Sequence, residues 1–368
     1  MKRRPIDYAV EACDMMMDRF AAPDLPPKGH FHYHQGVFLS GMEKTYKICR
    51  DEKYMNYIRD WVESCLESDR MPHNADPTAL DDIQPAILMF RIMDWNGDHS
   101  YEKALEYFSV VLRNFPKTSE GGLWHKGVRE DQMWLDGLYM SGPFFSEYGR
   151  RYNRPDYLES VAREALLMRK HCEDKKTGLY YHAWDESKKA PWADPVTGCS
   201  SEFWCRAIGW VPVAVLDDLE FMDPNASYVP QLKQMVTDLL DALLKYQTES
   251  GFWYQIVDKA DDPANWPETS STCLYAAAMS KAIRLGLAEG ERADAYRRSI
   301  RRAFDGVTKS LTYDKAGHVQ ISGVCIGTGV MDYESYLKRP TSTNDLHGVG
   351  AYLLMCEEVE RIWDTINK

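Results

Sequence analysis

Apolar residues recur at three- and four-residue spacing over nearly the whole chain, and β-type alternation is confined to short pieces such as Gly251–Val257. The spacing predicts twelve helices, over 5–20, 35–49, 53–67, 79–95, 100–114, 131–150, 155–172, 201–219, 228–247, 268–287, 291–306 and 344–366. The lengths between them alternate. After even-numbered helices the connections are short (50–52, 96–99, 151–154, 220–227, 288–290), and after odd-numbered ones they are long (21–34, 68–78, 115–130, 173–200, 248–267, 307–343). In an up-and-down helical array alternate connections emerge at opposite ends, so the long loops gather at one end and the tight turns at the other.

A faint repeat supports this pairing. Asp51-x-x-Tyr54, Asp98-x-x-Tyr101 and Asn153-x-x-x-Tyr157 each open an odd-numbered helix after a tight turn, the Asp or Asn as a cap and the Tyr as an anchor. Even-numbered helices are the more apolar (Ile83–Met93, Met133–Phe145, Leu274–Ile283, Val349–Met355), which makes them an inner ring. No terminal hairpin has the polar face that an open solenoid needs, so the hairpins are expected to close. The expected fold is all-α: one (α/α)6-barrel domain of six helical hairpins over 1–368, with the active site at the long-loop end.

The unusual residues fall at the starts of the predicted inner helices. These are His30, His32 and His34 before the second, and Asp81, Asp82 and Pro85 at the fourth. Trp124, His125, Lys126, Trp134 and Asp136 lie at the sixth, and Tyr181, His182, Trp184, Trp204, Arg206 and Trp210 at the eighth. Glu268, Thr269 and Ser270 lie at the tenth, and Asn344, Asp345 and His347 at the twelfth. The segment Gly122–Arg150 is the most informative. Asp131 reads as the cap of a buried helix, and Asp136 sits within that helix between Trp134, Leu135 and Leu138. An interior aspartate is either a buried group satisfied by hydrogen bonds or an acid held in an aromatic pocket to move a proton.

The other positions also have structural readings. Asp81 or Asp82 suits the positive end of a helix, Thr269, Ser270 and Asn344 suit caps, and Trp204 and Trp210 suit the core. Arg206, between two tryptophans, reads as a paired cation or as the holder of an anionic ligand. His30-x-His32-x-His34 lines one face of an extended segment, but no carboxylate or cysteine partner for a metal stands nearby in sequence. The glycine-bearing stretch Gly323–Val330 follows no clear strand, and no nucleophile elbow, P-loop or dinucleotide fingerprint is present.

Composition narrows the partners. The net charge of −12 disfavours nucleic acid and anionic membranes, and no apolar run in the sequence would span a bilayer. Aromatic residues make up 12% of the chain, which suits stacking on sugar rings. Nine scattered cysteines, an odd number without a CxxC pair, fit reduced thiols in the cytoplasm. Two acids and a cation in an aromatic funnel point to carbohydrate chemistry on an anionic sugar.

At these residues the sequence resembles glycoside hydrolase family 105, the unsaturated rhamnogalacturonyl hydrolases. The likeness rests on Met133–Pro143, Tyr181–Glu186, Trp204–Trp210 and Asn344–Gly348. It implies the (α/α)6 barrel, no metal or organic cofactor, and hydration of a 4,5-unsaturated uronic acid at the non-reducing end of a lyase-generated pectin oligosaccharide. By the same likeness Asp136 is the general acid and then base, and Asp81 the second active-site acid. His125, His182, Trp134, Trp204, Arg206 and Trp210 contact substrate, with Arg206 on the uronate carboxylate. Ala86, Ala183 and Ala207-Ile208 depart from the family pattern and leave the adjoining sugar open. The other readings are a sugar 2-epimerase with paired histidines and a non-catalytic carbohydrate-binding helical module. The expected state is a monomer or weak homo-oligomer.

Overall fold

A computed structural model describes residues 3–366, so the outermost residues of the domain span expected above lie outside it. In chain order the helices are α1 (Pro5–Arg19), α2 (Tyr33–Cys49), α3 (Glu52–Ser64), α4 (Ile87–Asn96), α5 (Glu102–Asn114), α6 (Asp136–Arg151) and α7 (Pro155–Cys172). They continue as α8 (Cys205–Leu219), α9 (Val229–Leu243), α10 (Thr269–Arg284), α11 (Gly290–Ser310), α12 (Tyr333–Leu337), α13 (Leu346–Arg361) and α14 (Trp363–Ile366). All twelve expected helices are present. α12 is an added turn inside the last long loop, and α14 is the end of the predicted 344–366 helix, split off after Arg361.

Helices α2, α4, α6, α8, α10 and α13 form the inner ring, each packed on the next, with 3-10 turns at 80–82 and 84–86 extending α4, and α13 packed back on α2. Nearly every residue of α10 and α13 is buried, because each is covered by ring neighbours on two sides and by an outer helix behind. The outer helices keep a solvent face, as in α11 with its run of arginines. The ring is the (α/α)6 barrel the pattern predicted.

Close approach at the seam needs glycine. A Cβ on Gly350 would stand 2.6 Å from the backbone of Val37, and one on Gly41 2.7 Å from Leu353 Cβ. The anchors and caps of the faint repeat divide. Asp51 and Asp98 accept from Lys53 N and Ser100 N, and Tyr54, Tyr101 and Tyr157 are buried. Asn153 does not cap; it takes a left-handed backbone (φ 52°) one residue before Arg154, the residue at the cap position.

The short strands all lie in the long loops. They are β1 (Gln132–Trp134) with β2 (Ala183–Asp185), β3 (Trp253–Tyr254) with β4 (Pro267–Glu268), β5 (Thr312–Tyr313) with β6 (Val319–Gln320), and β7 (Val324–Cys325) with β8 (Thr341–Ser342), each pair antiparallel. Single bridges Ala79–Lys126 and Trp204–Ile256 join neighbouring loops at the rim, and Trp184–Cys199 folds one loop on itself. Among the described residues no helix is long and apolar enough to cross a membrane.

Candidate active site

The rim ladders decide which side chains meet. In β1–β2, Trp134 pairs with Ala183, and Leu135 N–H donates to His182 C=O at 3.0 Å. This register places Asp136 beside His182, whose Nε2 lies 3.0 Å from Asp136 Oδ2. On the other flank the Ala79–Lys126 bridge and the Leu80 N–H bond to His125 C=O bring Asp81 beside His125 and Lys126. Lys126 Nζ is 2.7 Å from Asp81 Oδ2, and His125 Nε2 is 3.7 Å from Oδ1.

The expected cap of α6 is corrected here. Asp131 has φ 59° and stands before β1, because residues 132–134 are held in the ladder, and the helix begins at Asp136 itself. Asp136 is therefore a first-turn residue, not an interior one. It stands at the end of the helix whose N–H groups have no partner within the helix. Neither Thr269 nor Asn344 acts as a cap. Glu268 caps α10 by accepting from Ser271 N–H at 2.6 Å, while Thr269 Oγ1 donates to Ser322 C=O. Asn344 ties Ile321 N–H and Val319 C=O together.

Asp81, His125, Trp134 and Asp136 line one cavity of about 300 Å³, together with His32, Tyr33, His34, Lys126, Arg129, Met140 and the Gly327–Gly329 loop. Trp134 stacks on His125 with ring centroids 4.4 Å apart, and a Cβ on Gly329 would stand 3.4 Å from the Trp134 ring, so loop and indole face each other across the mouth. Of the acid pair, Asp81 turns inward, while Asp82 accepts from Asp76 N–H at 2.7 Å. Burial alone would raise Asp81, but His125, Lys126 and His32 outweigh it and hold the carboxyl below the ordinary aspartate range. Burial also raises Asp82, to about 6.

Behind Asp136 lies a short relay. Tyr336 O accepts from Met331 N–H and lies 2.6 Å from His182 Nδ1; with the hydroxyl donating to Nδ1, His182 Nε2–H donates to Asp136 Oδ2 at 3.0 Å. Asp136 itself lines the cavity. Tyr336 lies in the one long loop whose short helix the hydrophobic spacing does not show, and no signal in the sequence marked it.

Three expected contact residues stand elsewhere. Arg206 does not reach the cavity: it is 2% exposed, its guanidinium donates to Cys325 C=O (2.7 Å) and Ile326 C=O (2.8 Å), and Glu268 lies 3.6 Å away. It pins the base of the Gly327–Gly329 loop. Trp204 is buried against His182 and Tyr336 with Nε1 donating to Gln255, and Trp210 is stacked on Tyr139 in the core. His182 is itself fully buried and acts on the cavity through Asp136. Lys126 and Arg129 are the cations that do reach it. Of the three early histidines, His32 and His34 line the wall and His30 does not.

A cavity of about 360 Å³ opens at the opposite, tight-turn end, among Lys44, Arg91, Glu147, Arg151, Asp217 and Glu220. Its charges are mostly joined to one another, as in Arg91–Glu147 and the pairing of Lys281 with Asp217 and Glu220. Such ion pairs close the floor of the ring and leave no acid poised for proton transfer.

Two acids in different surroundings, set in an aromatic-walled cavity at the broad end of an (α/α)6 ring, define a glycoside hydrolase, and the comparisons agree. The chain belongs to Glycosyl Hydrolase Family 88, whose profile matches residues 8–363. It is similar to the unsaturated rhamnogalacturonyl hydrolase YesR of Bacillus subtilis (28% identity over 331 residues, 88% of each chain). It is also similar to protein Atu3128 of Agrobacterium fabrum (31% over 229 residues, 60% of this chain and 97% of that one). A solved glycoside hydrolase from family 105 of C. acetobutylicum superposes with a TM-score of 0.90 at 27% identity, covering 96% of this chain and 99% of the other.

Proposed function

We propose that this enzyme releases the 4,5-unsaturated uronic acid from the non-reducing end of lyase-generated rhamnogalacturonan oligosaccharides by hydrating its vinyl ether. The observation that carries the reading is Asp136 at the start of α6, lining the cavity with Oδ2 beside the His182–Tyr336 pair. Protonated Asp136 delivers its proton to C4, and positive charge develops at C5 and the ring oxygen. The resulting carboxylate then takes a proton from the water that adds at C5. The product is a hemiketal, which opens and expels the neighbouring sugar. Anionic Asp81 faces the developing positive charge, and Lys126 holds it in place.

The uronate carboxylate is taken by Lys126 and Arg129 rather than by Arg206, which is buried and donates to the Cys325 and Ile326 carbonyls. The similarity to YesR along most of the chain supports the rhamnogalacturonan assignment. Nine free cysteines fit action in the reducing cytoplasm.

The test is to incubate the enzyme with lyase-treated rhamnogalacturonan fragments and follow the absorbance of the conjugated double bond. Loss of absorbance with sugar release is expected; retained absorbance with a new epimer, or no turnover, overturns the reading. Asp136→Asn keeps the fold and lowers kcat by at least ~10²–10⁴-fold, the usual worth of a positioned acid. Near-normal turnover in that variant would remove Asp136 from its role.

A further inference from the structure

The first and last helices of the inner ring bring together three side chains that lie far apart in sequence. His34 in the first turn of α2, Asp345 just before α13 and His347 in its first turn each present a donor atom, and these atoms lie within 4.8 Å of one another. Among the described residues this is the one group of three such side chains placed to share an ion. We propose that it binds a divalent transition cation of the zinc type, at the seam where the barrel closes.

His347 supplies the second observation. It is fully buried, and its Nε2–H donates to Cys325 C=O at 3.0 Å. The other nitrogen, Nδ1, then offers a lone pair. It lies 2.7 Å from Asp345 Oδ1, yet off the direction of a hydrogen bond, and finds no partner. A buried lone pair set against a carboxylate oxygen is the arrangement a shared cation satisfies. A metal-bound histidine usually donates its remaining N–H to a carbonyl, which fixes the ring, and His347 already does so. His34 is oriented by a neighbouring ring, its Nδ1 lying 3.1 Å from His32 Nδ1.

The donor set selects the ion. Two imidazoles and one carboxylate suit zinc, cobalt or nickel, whereas calcium and magnesium require mostly oxygen. Bonds of about 2.0–2.2 Å place tetrahedral ligand atoms roughly 3.3–3.5 Å apart, so closing the site takes side-chain movements on the order of 1 Å. His34 also lines the cavity, so the ion would stand beside it. The ion would clip α2 to α13 across nearly the whole length of the chain, where a crosslink removes the most freedom from the unfolded state. This inference does not depend on the reaction proposed above.

The test uses the full chain, stripped with EDTA and desalted, then titrated with zinc or cobalt. Retention of about one equivalent after gel filtration, a Tm raised by several degrees, and visible cobalt absorption bands of a tetrahedral site are expected. His34→Gln and Asp345→Asn each abolish all three effects, with far-UV circular dichroism as the check on folding. No retained metal in the wild type overturns the proposal even if a variant fails to fold, and so does retention that both substitutions leave unchanged.

Discussion

Asp136 shows how position sets the chemistry of one side chain. A carboxyl at the first residue of a helix meets free N–H groups, and here it also meets an imidazole whose far nitrogen lies 2.6 Å from a buried tyrosine hydroxyl. Tyr336→Phe removes that tyrosine's hydroxyl, leaves His182 Nδ1 without its donor, and frees the ring to hold the wrong proton. A lost hydrogen bond of this kind is worth about 1 kcal/mol, so kcat is expected to fall roughly 5–10-fold with KM nearly constant. Steady-state kinetics checks this, and a changed KM at constant kcat would instead make Tyr336 a substrate contact.

Asp82 gives a prediction in stability. Burial raises it from 3.8 to about 6, so the folded protein binds its proton more tightly than the unfolded chain does. The stabilising share of that proton is full below pH 4 and is lost as the pH rises through about 6. The carboxylate that remains, between Asp81 and the Asp76 N–H and with His32 at 3.9 Å, is a net cost. Asp82→Asn keeps an acceptor for Asp76 and is expected to be more stable than the wild type at pH 8 but not at pH 4. Denaturant unfolding at the two pH values measures the difference, and an unchanged gap would refute it.

At the scale of elements, the helices were readable because each inner helix is apolar around most of its surface and each outer one along a single stripe. Their starts were not. Residues 131–135 carry helical spacing, yet 132–134 form β1, because the ladder to β2 satisfies their backbone and propensity yields to that pairing. For the same reason Glu268, and not Thr269 or Ser270, caps α10. The contact of α2 with α13 tests how far packing governs the ring. Gly350→Ala drives a methyl into the Val37 backbone, which cannot move aside as a side chain tip could. A loss of about 1–3 kcal/mol is expected, read as a lower Tm, and unchanged stability would mean that the seam is looser than it looks.

At the scale of the molecule, the ring separates two kinds of polar surface. The starts of the inner helices carry unpaired N–H groups, acids and aromatic walls, and their ends carry a floor of salt bridges. The helix dipoles are positive at the first end, which suits the anionic sugar proposed above. The sequence by itself determined the ring and the end that carries the site, because helix periodicity and loop length are local properties that tight and long connections translate directly into handed alternation. It also marked Asp81, His125, Trp134 and Asp136, which stand beside the loops that fold over them. Tertiary structure alone decided that Arg206 and Trp210 face away, that Tyr336 stands behind His182, and that His34 meets Asp345 and His347. Those outcomes depend on rim ladders and on closure of the first helix against the last, contacts between residues tens to hundreds of positions apart that no local pattern encodes.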